Sequence, residues 1–256
     1  MLLVIDVGNT NTVLGAWQGE RLIRHWRLGT AKQRSADEYA VLVGQMLGMA
    51  GLALEDVKAA VLSCVVPPVE WVVVHMLEDY CGIAPLVVGP GIRTGLKIRY
   101  DNPREVGADR IVNAVAALEQ SPAPLIVVDF GTATTFDALD RDGAYLGGAI
   151  APGINISMEA LFQRASKLPR VPFARPDAVI GRSTVQAMQS GLFYGYVGLV
   201  DEIITRLKRE LGDETAVVAT GGLGKLIATA SRHIDRVDTL LTLHGLRLIY
   251  ERNRSG

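Results

Sequence analysis

The sequence is poor in cysteine, in aromatic residues and in net charge, and each shortage excludes a class of protein. Cys64 and Cys81 are its only cysteines, and neither lies in a Cys-x-x-Cys pair or a Cys/His cluster, which argues against a disulfide framework and a zinc site. The 26 Lys and Arg residues balance 27 Asp and Glu, so the basic surface of a nucleic-acid-binding protein is missing. Aromatic residues make up only 6% of the chain, too few to suggest a base-stacking surface.

Long apolar runs are also missing. No run reaches the roughly 18 residues that a transmembrane helix needs, and no basic segment precedes a long apolar stretch near the start. We therefore expect a cytoplasmic protein without nucleic-acid or membrane partners. With 256 residues, 49% of them hydrophobic, the chain can bury one large core or two smaller ones.

Hydrophobic periodicity and turn signals divide the first half of the chain into strands and helices. Strands are expected over 2–7, 12–17, 21–28, 57–66 and 85–88, and helices over 35–49, 67–80 and 102–120. Ser35 and Glu38 are spaced as a capping box for the first helix. Asn102 and Pro103 are typical of a helix start.

A Pro-rich stretch, SPAP at 121–124, indicates a boundary between two halves, 1–121 and 122–256. Beyond it, strands are expected over 125–130, 145–150 and 215–220, and helices after Pro152, over 183–211 and over 239–253. Strands and helices mix in each half, so the predicted fold class is α/β with mixed β-sheets flanked by helices.

The two halves begin alike. Ile5-Asp6-Val7-Gly8 aligns with Val128-Asp129-Phe130-Gly131, and the same alignment pairs Thr12 with Thr135. Each half thus opens with an apolar strand, an Asp-x-Gly turn and a return strand that carries Thr. Internal similarity of this kind indicates a duplicated architecture.

An acidic residue at the end of a core strand, followed by a turn of small residues, has a plain and a chemical interpretation. The plain one is a hairpin, since Asn and Gly tolerate the backbone angles of tight turns. In the chemical one, the turn amides bind an anion and the carboxylate holds a cation that bridges to it, as a nucleotide triphosphate with its metal requires. The duplication favours the chemical interpretation.

Two other nucleotide-binding motifs are excluded. The run GGLGKL resembles a P-loop, but Lys225 is followed by Leu226 instead of Ser or Thr, and Ala219 stands where the first Gly belongs. A Rossmann motif would need glycines at Thr10 and Val13.

The paired turns, with a Gly-Gly turn after a late strand, resemble the actin-like ATPase superfamily, which includes sugar kinases and Hsp70. In that superfamily two related ribonuclease-H-like domains bind ATP. The hairpin turns contact the phosphates, and a loop of the ATGGLG type lies near the adenosine. The matching positions here are 6–13, 129–135 and 219–224.

The stretch 96–117 carries a third motif. On a helix, Ala108, Ile111, Val115 and Leu118 would line one face, and Asp109 and Asn113 would point away from it. A solvated helix face is one explanation for Asp109 and its neighbour Arg110. The small residues just before them favour another, because they let a ligand approach the backbone closely.

Four segments resemble, in order and spacing, the type III pantothenate kinases: DVGNTN, RYDNPREVGADR, VDFGTATTFD and GGAIAPG. The resemblance implies that the chain transfers phosphate from ATP to the primary hydroxyl of pantothenate, giving 4′-phosphopantothenate in the first step of coenzyme A biosynthesis.

The resemblance also assigns roles to individual residues. ATP would contact the first hairpin, Asp6, Val7, Gly8, Asn9, Thr10, Asn11, Thr12 and Val13, together with Thr132. Pantothenate would contact Tyr100, Gly107, Ala108, Asp109, Arg110 and Thr184, with Asp109 as the catalytic general base.

Two cations and a partner chain are implied as well. Asp6 would hold Mg²⁺ with ATP through water, since that ion keeps much of its hydration shell. Asp129 would lie beside a monovalent cation, K⁺ or NH₄⁺. The family forms homodimers; the apolar segment 192–204 could supply the interface, and an intramolecular core explains it equally well.

Two alternatives remain open from the sequence. A kinase of the same fold could act on another small hydroxylated acid or on a sugar, and only Tyr100, the segment 107–110 and Thr184 speak against it. A regulator or filament-forming ATPase without kinase activity is the other, and the retained Asp109 argues against it.

Overall fold

A computed structural model describes residues 1–254. The strands are β1 (Leu2–Val7), β2 (Asn11–Gln18), β3 (Arg21–Gly29), β4 (Ala59–Cys64), β5 (Leu86–Val87), β6 (Leu125–Phe130), β7 (Ala133–Leu139), β8 (Tyr145–Pro152), β9 (Ala216–Gly221) and β10 (Arg236–Val237). The α-helices are α1 (Ala36–Gly48), α2 (Pro67–Cys81), α3 (Ala108–Gln120), α4 (Ile154–Arg164), α5 (Thr184–Leu211), α6 (Gly224–Ala228) and α7 (Leu241–Arg254). Short 3₁₀ turns cover Leu54–Asp56 and Pro103–Glu105.

The first sheet has five strands in the order β3-β2-β1-β4-β5. Its central strand, β1, pairs antiparallel with β2 and parallel with β4. Helices α1 and α2 pack against each other, and α7 packs on β1 and β4. The buried core between sheet and helices is aliphatic, with Leu3, Leu47, Leu62 and Leu77 fully enclosed.

The second sheet repeats this plan. Its order, β8-β7-β6-β9-β10, matches the first strand for strand, and β6 pairs antiparallel with β7 and parallel with β9. Tyr196, Val200 and Ile204 of α5 pack in its core with Phe136. The predicted mixed sheets and the predicted duplication are both confirmed. The burial of these α5 residues also accounts for the apolar character of the segment 192–204 within the core.

Local sequence signals locate most elements closely. Ser35 caps α1 as predicted: its side chain accepts a hydrogen bond from the Glu38 N–H, and the Glu38 carboxylate accepts one from the Ser35 N–H at 2.7 Å. The predicted strand over 57–66 is shorter in the structure, because a 3₁₀ turn precedes it and Val66 caps α2. Strand β10 and the short helix α6 were not predicted.

The helix predicted from Asn102 is wrong at its start. Asn102 does act as a cap, accepting a hydrogen bond from the Arg104 N–H, but the turn it opens ends at Glu105. Helix α3 begins only at Ala108. The break leaves Gly107 just before the helix, and Asp109 therefore lies in its first turn.

At the centre of α3, burial is not confined to the predicted apolar face. Residues 111–117 are all buried, which includes both the predicted apolar face and the opposite one. Asn113 is only 1% exposed and accepts a hydrogen bond from the Thr242 hydroxyl of α7 at 2.7 Å. Because a polar partner is supplied by α7, an amide is accommodated where the pattern suggested solvent.

The described chain forms two compact units that interleave along the sequence. One unit contains residues 1–95 and 102–116 and the segment from Leu241 onward, and the other contains 96–101 and 117–240. The C-terminal helix α7 thus belongs to the first unit. The division into domains 1–121 and 122–256 stays a prediction about independently folding parts. Within residues 1–254, no helix has both the length and the apolar composition for crossing a membrane.

Replacing the α1 cap tests how far local capping stabilises the first unit. Ser35→Ala removes one side of the capping box, and we expect the free energy of unfolding to fall by about 1 kcal/mol. Ser35→Asp keeps an acceptor oxygen at the same place and should stay near the parent value. Urea unfolding of both variants measures the difference, and equal stability of Ser35→Ala and the parent protein would contradict the expectation.

Candidate active site

The first Asp-x-Gly turn connects β1 to β2. Asp6 is half-buried near the end of β1, opposite Val13 on one side and Ser63 on the other. The turn closes with a hydrogen bond from the Gly8 N–H to the Asn11 carbonyl at 3.0 Å. Its tip, Asn9 and Thr10, is exposed, so an anion can reach the backbone amides of the turn.

Thr30 supports this turn, and the sequence patterns did not single it out. Its hydroxyl donates to the Gly8 carbonyl at 2.7 Å and is hydrogen-bonded to the Thr12 hydroxyl at 2.9 Å. Its N–H donates to the Thr10 carbonyl at 3.0 Å. The register of β2 and β3 is the signal that could have identified Thr30. Asn11 pairs with Gly29, so Thr30, the next residue, lies beside the turn.

Asp109 lies at the start of α3 with its carboxylate folded back over the preceding residues. Oδ1 accepts a hydrogen bond from the Arg110 N–H at 2.8 Å. A Cβ on Gly107 would lie 2.6 Å from the same oxygen, closer than real contacts allow. A side chain at 107 would therefore displace the Asp109 carboxylate from this position, which gives the small residue before Ala108 a physical reason.

The electrostatics of Asp109 favour proton transfer. Burial raises the pKa of the Asp109 carboxyl above its ordinary value, because desolvation penalises the charged form. The Arg110 N–H and the Arg110 guanidinium act against this and lower the pKa in part. A carboxylate with a raised pKa accepts a proton more readily than an exposed one.

The second Asp-x-Gly turn connects β6 to β7. Asp129 is half-buried, opposite Thr135 of β7 and Thr220 of β9. The Gly131 N–H closes the turn on the Ala133 carbonyl at 3.1 Å, and Thr132 lies at its tip. A Cβ on Gly221, at the end of β9, would lie 2.7 Å from Asp129 Oδ1. The main chain of β9 thus approaches this carboxylate closely.

Tyr100 is held beside β8. Residues 97–99 run along this strand, with the Arg99 N–H donating to the Tyr145 carbonyl and the Tyr145 N–H donating to the Lys97 carbonyl, each at 2.8 Å. The Arg99 guanidinium also pairs with Asp140 at 2.5 Å. Tyr100 meets the ring of Tyr145 edge to face, with 6.3 Å between ring centroids. Its position is therefore fixed by main-chain and side-chain contacts.

Thr184 is the first residue of α5 and is exposed. Ser183 caps the helix by accepting a hydrogen bond from the Gln186 N–H at 3.3 Å. The hydroxyl at 184 is thus presented at a helix N-terminus, where backbone N–H groups and the helix dipole favour a negatively charged ligand.

The predicted residues are distributed over both units. The first hairpin and the segment 107–110 belong to one unit, and Tyr100, Asp129, Thr132 and Thr184 belong to the other. The loop predicted to lie near adenosine follows β9 and leads into α6.

The donor groups suit a hydrated ion better than a protein cage. Within residues 1–254, no group of three or more His, Cys, Asp or Glu side chains is arranged to hold a metal ion. Magnesium typically keeps several waters and binds one or two carboxylates together with substrate phosphates. A single half-buried carboxylate beside an amide-rich turn, as at Asp6, fits that mode, and Asp129 offers oxygen donors of the same kind.

Comparison with known proteins identifies relatives along the whole chain. The family model for type III pantothenate kinase matches residues 2–206. A type III pantothenate kinase of Geobacter sulfurreducens is 61% identical over 99% of this chain and 100% of its own length. Those of Myxococcus xanthus and Halalkalibacterium halodurans are 60% and 55% identical, over 100% and 99% of this chain and 100% of their own lengths.

Solved structures with low sequence identity share the fold. The activator of the 2-hydroxyisocaproyl-CoA dehydratase from Clostridium difficile superposes with a TM-score of 0.58 at 14% identity, over 99% of this chain and 96% of its own. The ethanolamine utilization protein EutJ from Carboxydothermus hydrogenoformans gives 0.57 at 13% identity, over 96% and 89%. The predicted actin-like fold is confirmed.

The raised pKa of Asp109 predicts how its replacement alters stability with pH. Well below pH 4 the carboxyl is protonated in the folded and unfolded states alike; as the pH rises through the folded-state pKa, ionisation costs the folded state free energy. Asp109→Asn should therefore gain stability relative to the parent as the pH rises. Urea unfolding across a pH series measures the difference in the free energy of unfolding between Asp109→Asn and the parent protein. Asp79→Asn, in α2, controls for the loss of one exposed carboxylate. A stability difference that does not change with pH would contradict the raised pKa of the Asp109 carboxyl.

Proposed function

The chain belongs to the type III pantothenate kinase family, and from this we propose that Asp109 is the general base in its reaction. The activity of the family is the ATP-dependent phosphorylation of pantothenate in coenzyme A biosynthesis, and the full-length identity of 55–61% assigns that activity to this chain. The observation that most supports the role of Asp109 is its desolvated carboxylate, set over Gly107, where a Cβ would displace it.

The proposed step is a direct phosphoryl transfer. The primary hydroxyl of pantothenate gives its proton to the Asp109 carboxylate while its oxygen bonds to the γ-phosphorus of ATP. The bond from that phosphorus to the β–γ bridging oxygen breaks, and ADP leaves with the electron pair. A primary alcohol is a poor nucleophile, so a nearby carboxylate that accepts the proton lowers the barrier.

Two turns bind the phosphates in this proposal. The amides of the first hairpin, 6–13, and the Thr132 region of the second hairpin donate hydrogen bonds to phosphate oxygens. Thr12 and Thr30 act from within the protein, since their hydroxyls are hydrogen-bonded to each other and hold the Gly8 carbonyl in place. Asp6 would hold the Mg²⁺ that accompanies ATP, through water, and that ion would supply charge neutralisation at the phosphates.

Pantothenate is held by the remaining predicted residues. Arg110 provides a positive charge for its carboxylate, and Gly107 and Ala108 allow the substrate to approach the main chain. Tyr100 contributes an aromatic face and Thr184 a hydroxyl to substrate binding in this proposal.

Asp129 binds a monovalent cation, K⁺ or NH₄⁺, in this proposal. Its half-buried carboxylate lies at a strand end with the β9 main chain close by, so carboxylate and carbonyl oxygens are available at one place. A cation there would neutralise part of the charge that the transferring phosphoryl group carries.

A homodimer is proposed as the working form. Six apolar side chains of β8, α4, the segment before α5 and the first turn of α5 are exposed: Leu146, Ile150, Ile156, Val179, Ile180 and Val185, with Ile180 at 83%. Exposed apolar surface of this kind marks interaction sites more often than chance would place it. Light scattering at micromolar concentration tests the dimer.

Replacing Asp109 tests the proposed base. Asp109→Asn keeps the size of the side chain and removes its ability to accept the proton, so kcat should fall by about 10²–10⁴-fold. A coupled assay measures ADP release that depends on pantothenate, and circular dichroism checks the fold. Asp79→Asn is the matched control. Full activity of Asp109→Asn would remove Asp109 as the base, and faster turnover of a sugar than of pantothenate by the parent enzyme would favour the broader kinase alternative.

The proposed cation site predicts a specific salt dependence. Replacing K⁺ by N-methylglucamine at equal ionic strength should lower the rate by about tenfold or more, equivalent to roughly 1.4 kcal/mol of transition-state free energy. Asp129→Asn should remove the response to K⁺ and to NH₄⁺. Equal rates of the parent enzyme in the two salts would contradict the cation site and leave the kinase activity itself untouched.

A further inference from the structure

The segment GGAIAPG, residues 147–153, marks the family in the sequence but has no role in the reaction described so far. It forms most of β8 and ends at the N-cap of α4. Its two terminal glycines, Gly147 and Gly153, are both buried. Each lies against a different residue to which the proposed function assigns a ligand.

Gly147 lies under the ring of Tyr100. A Cβ at 147 would be 2.9 Å from Cε2 and 3.2 Å from Cδ2 of that ring. The backbone of Gly147 has φ +126°, a region that residues with a Cβ rarely adopt. The ring can therefore rest directly on the main chain of β8, and any larger residue at 147 would push it away.

The part of β8 beneath the Tyr100 ring is held in place by buried contacts. Tyr145 precedes Gly147 by two residues, is fully buried, and donates its hydroxyl to the buried Asp137 carboxylate at 2.8 Å. The same residue pairs through its main chain with residues 97 and 99. A buried polar pair of this kind costs free energy when either partner moves, so it fixes the height of β8 beneath the ring.

Gly153, at the other end, touches the second phosphate turn. A Cβ there would be 2.7 Å from the carbonyl carbon of Thr132 and 2.9 Å from the carbonyl oxygen of Gly131. The φ of Gly153 is −68°, an ordinary value for any residue. Contact with the turn, and not backbone geometry, therefore requires glycine at this position.

The Gly153 end is also anchored. The Tyr196 hydroxyl donates to the Pro152 carbonyl at 2.9 Å, and the Ser157 N–H donates to the Gly153 carbonyl at 3.0 Å. Pro152 pairs with Ala133, the residue after Thr132. The turn that carries Thr132 thus rests on a strand end that is itself held by α4 and α5.

We propose that β8 positions two ligand-binding residues at once, with Gly147 setting the height of the Tyr100 ring and Gly153 setting the Thr132 turn. This rests on the proposed function, which gives Tyr100 to pantothenate and Thr132 to the ATP phosphates. In this proposal both glycines are positioning residues, which act through the Tyr100 ring and the Thr132 turn. Because the contacts lie at opposite ends of one strand, their kinetic effects are separable.

Gly147→Ala tests the first contact. It should raise KM for pantothenate by roughly tenfold to a hundredfold, because it displaces a binding group by up to about 1 Å. KM for ATP should stay within about twofold of the parent value. In a Tyr100→Ala background the same substitution should have no further effect on KM for pantothenate, since the ring it displaces is gone. Gly19→Ala controls for strain, because Gly19 has φ +58° and nothing within 4 Å of a Cβ.

Gly153→Ala tests the second contact. It should weaken binding of a non-hydrolysable ATP analogue about tenfold or more by calorimetry, with KM for pantothenate within about twofold. Gly195→Ala, in α5 with nothing within 4 Å of a Cβ, is the control.

Two milder variants test the same contacts if the glycine variants do not fold. Arg99→Met loosens the segment carrying Tyr100 and should raise only KM for pantothenate. Tyr196→Phe releases the Pro152 carbonyl and should weaken only nucleotide binding.

The outcomes separate this proposal from the proposed function. Equal effects of each variant on both ligands, or independent effects of Gly147→Ala and Tyr100→Ala, would overturn the role of β8. Wild-type affinities in Arg99→Met and Tyr196→Phe would overturn it too if the glycine variants fail to fold. If Tyr100→Ala alone leaves KM for pantothenate unchanged, the assignment of Tyr100 to the substrate is wrong, and the role of Gly147 falls with it. The role of Gly153 is then tested by the calorimetry of Gly153→Ala alone. Unchanged binding of the ATP analogue would overturn that role.

Discussion

The pairing of each central strand sets the geometry on which the two hairpins depend. β1 and β6 run antiparallel to the following strand and parallel to a later one, so a tight turn and the end of a parallel strand meet at one edge of the sheet. A carboxylate at that edge is half-buried, with polar main chain on both sides. In the second sheet, Gly221 lets the main chain of β9 approach Asp129 closely, because a side chain at 221 would collide with the Asp129 carboxylate.

Three acidic residues then have different surroundings and, in the proposed function, different tasks. Asp6 and Asp129 occupy equivalent places in the two sheets, and each is proposed to hold a cation. Asp109 begins a helix over Gly107, and burial raises the pKa of its carboxyl. The general rule that environment divides chemically identical groups into distinct roles applies here.

Local signals in the sequence predicted the parts of the fold that depend on neighbouring residues. The capping box of α1, the strand–turn–strand units and the duplication follow from spacing alone. The wrong predictions depend on distant partners. Nothing near Asn113 indicates that Thr242 will hydrogen-bond it, and nothing near Thr30 indicates that it supports Gly8. The break before Ala108 was missed because Asn102 and Pro103 open a real turn that Gly107 does not continue.

The interleaving of the two units has a consequence for biosynthesis. Strands β1 and β4, near the start of the chain, are covered on one side by α7, whose Leu241, Leu243, Leu246 and Ile249 are buried. The ribosome makes that helix last among the elements of the fold. The first unit must therefore emerge with an apolar sheet face uncovered and wait until the second unit has been synthesised. This interval is the period in which nascent chains with exposed apolar surface are prone to aggregate and depend on chaperones.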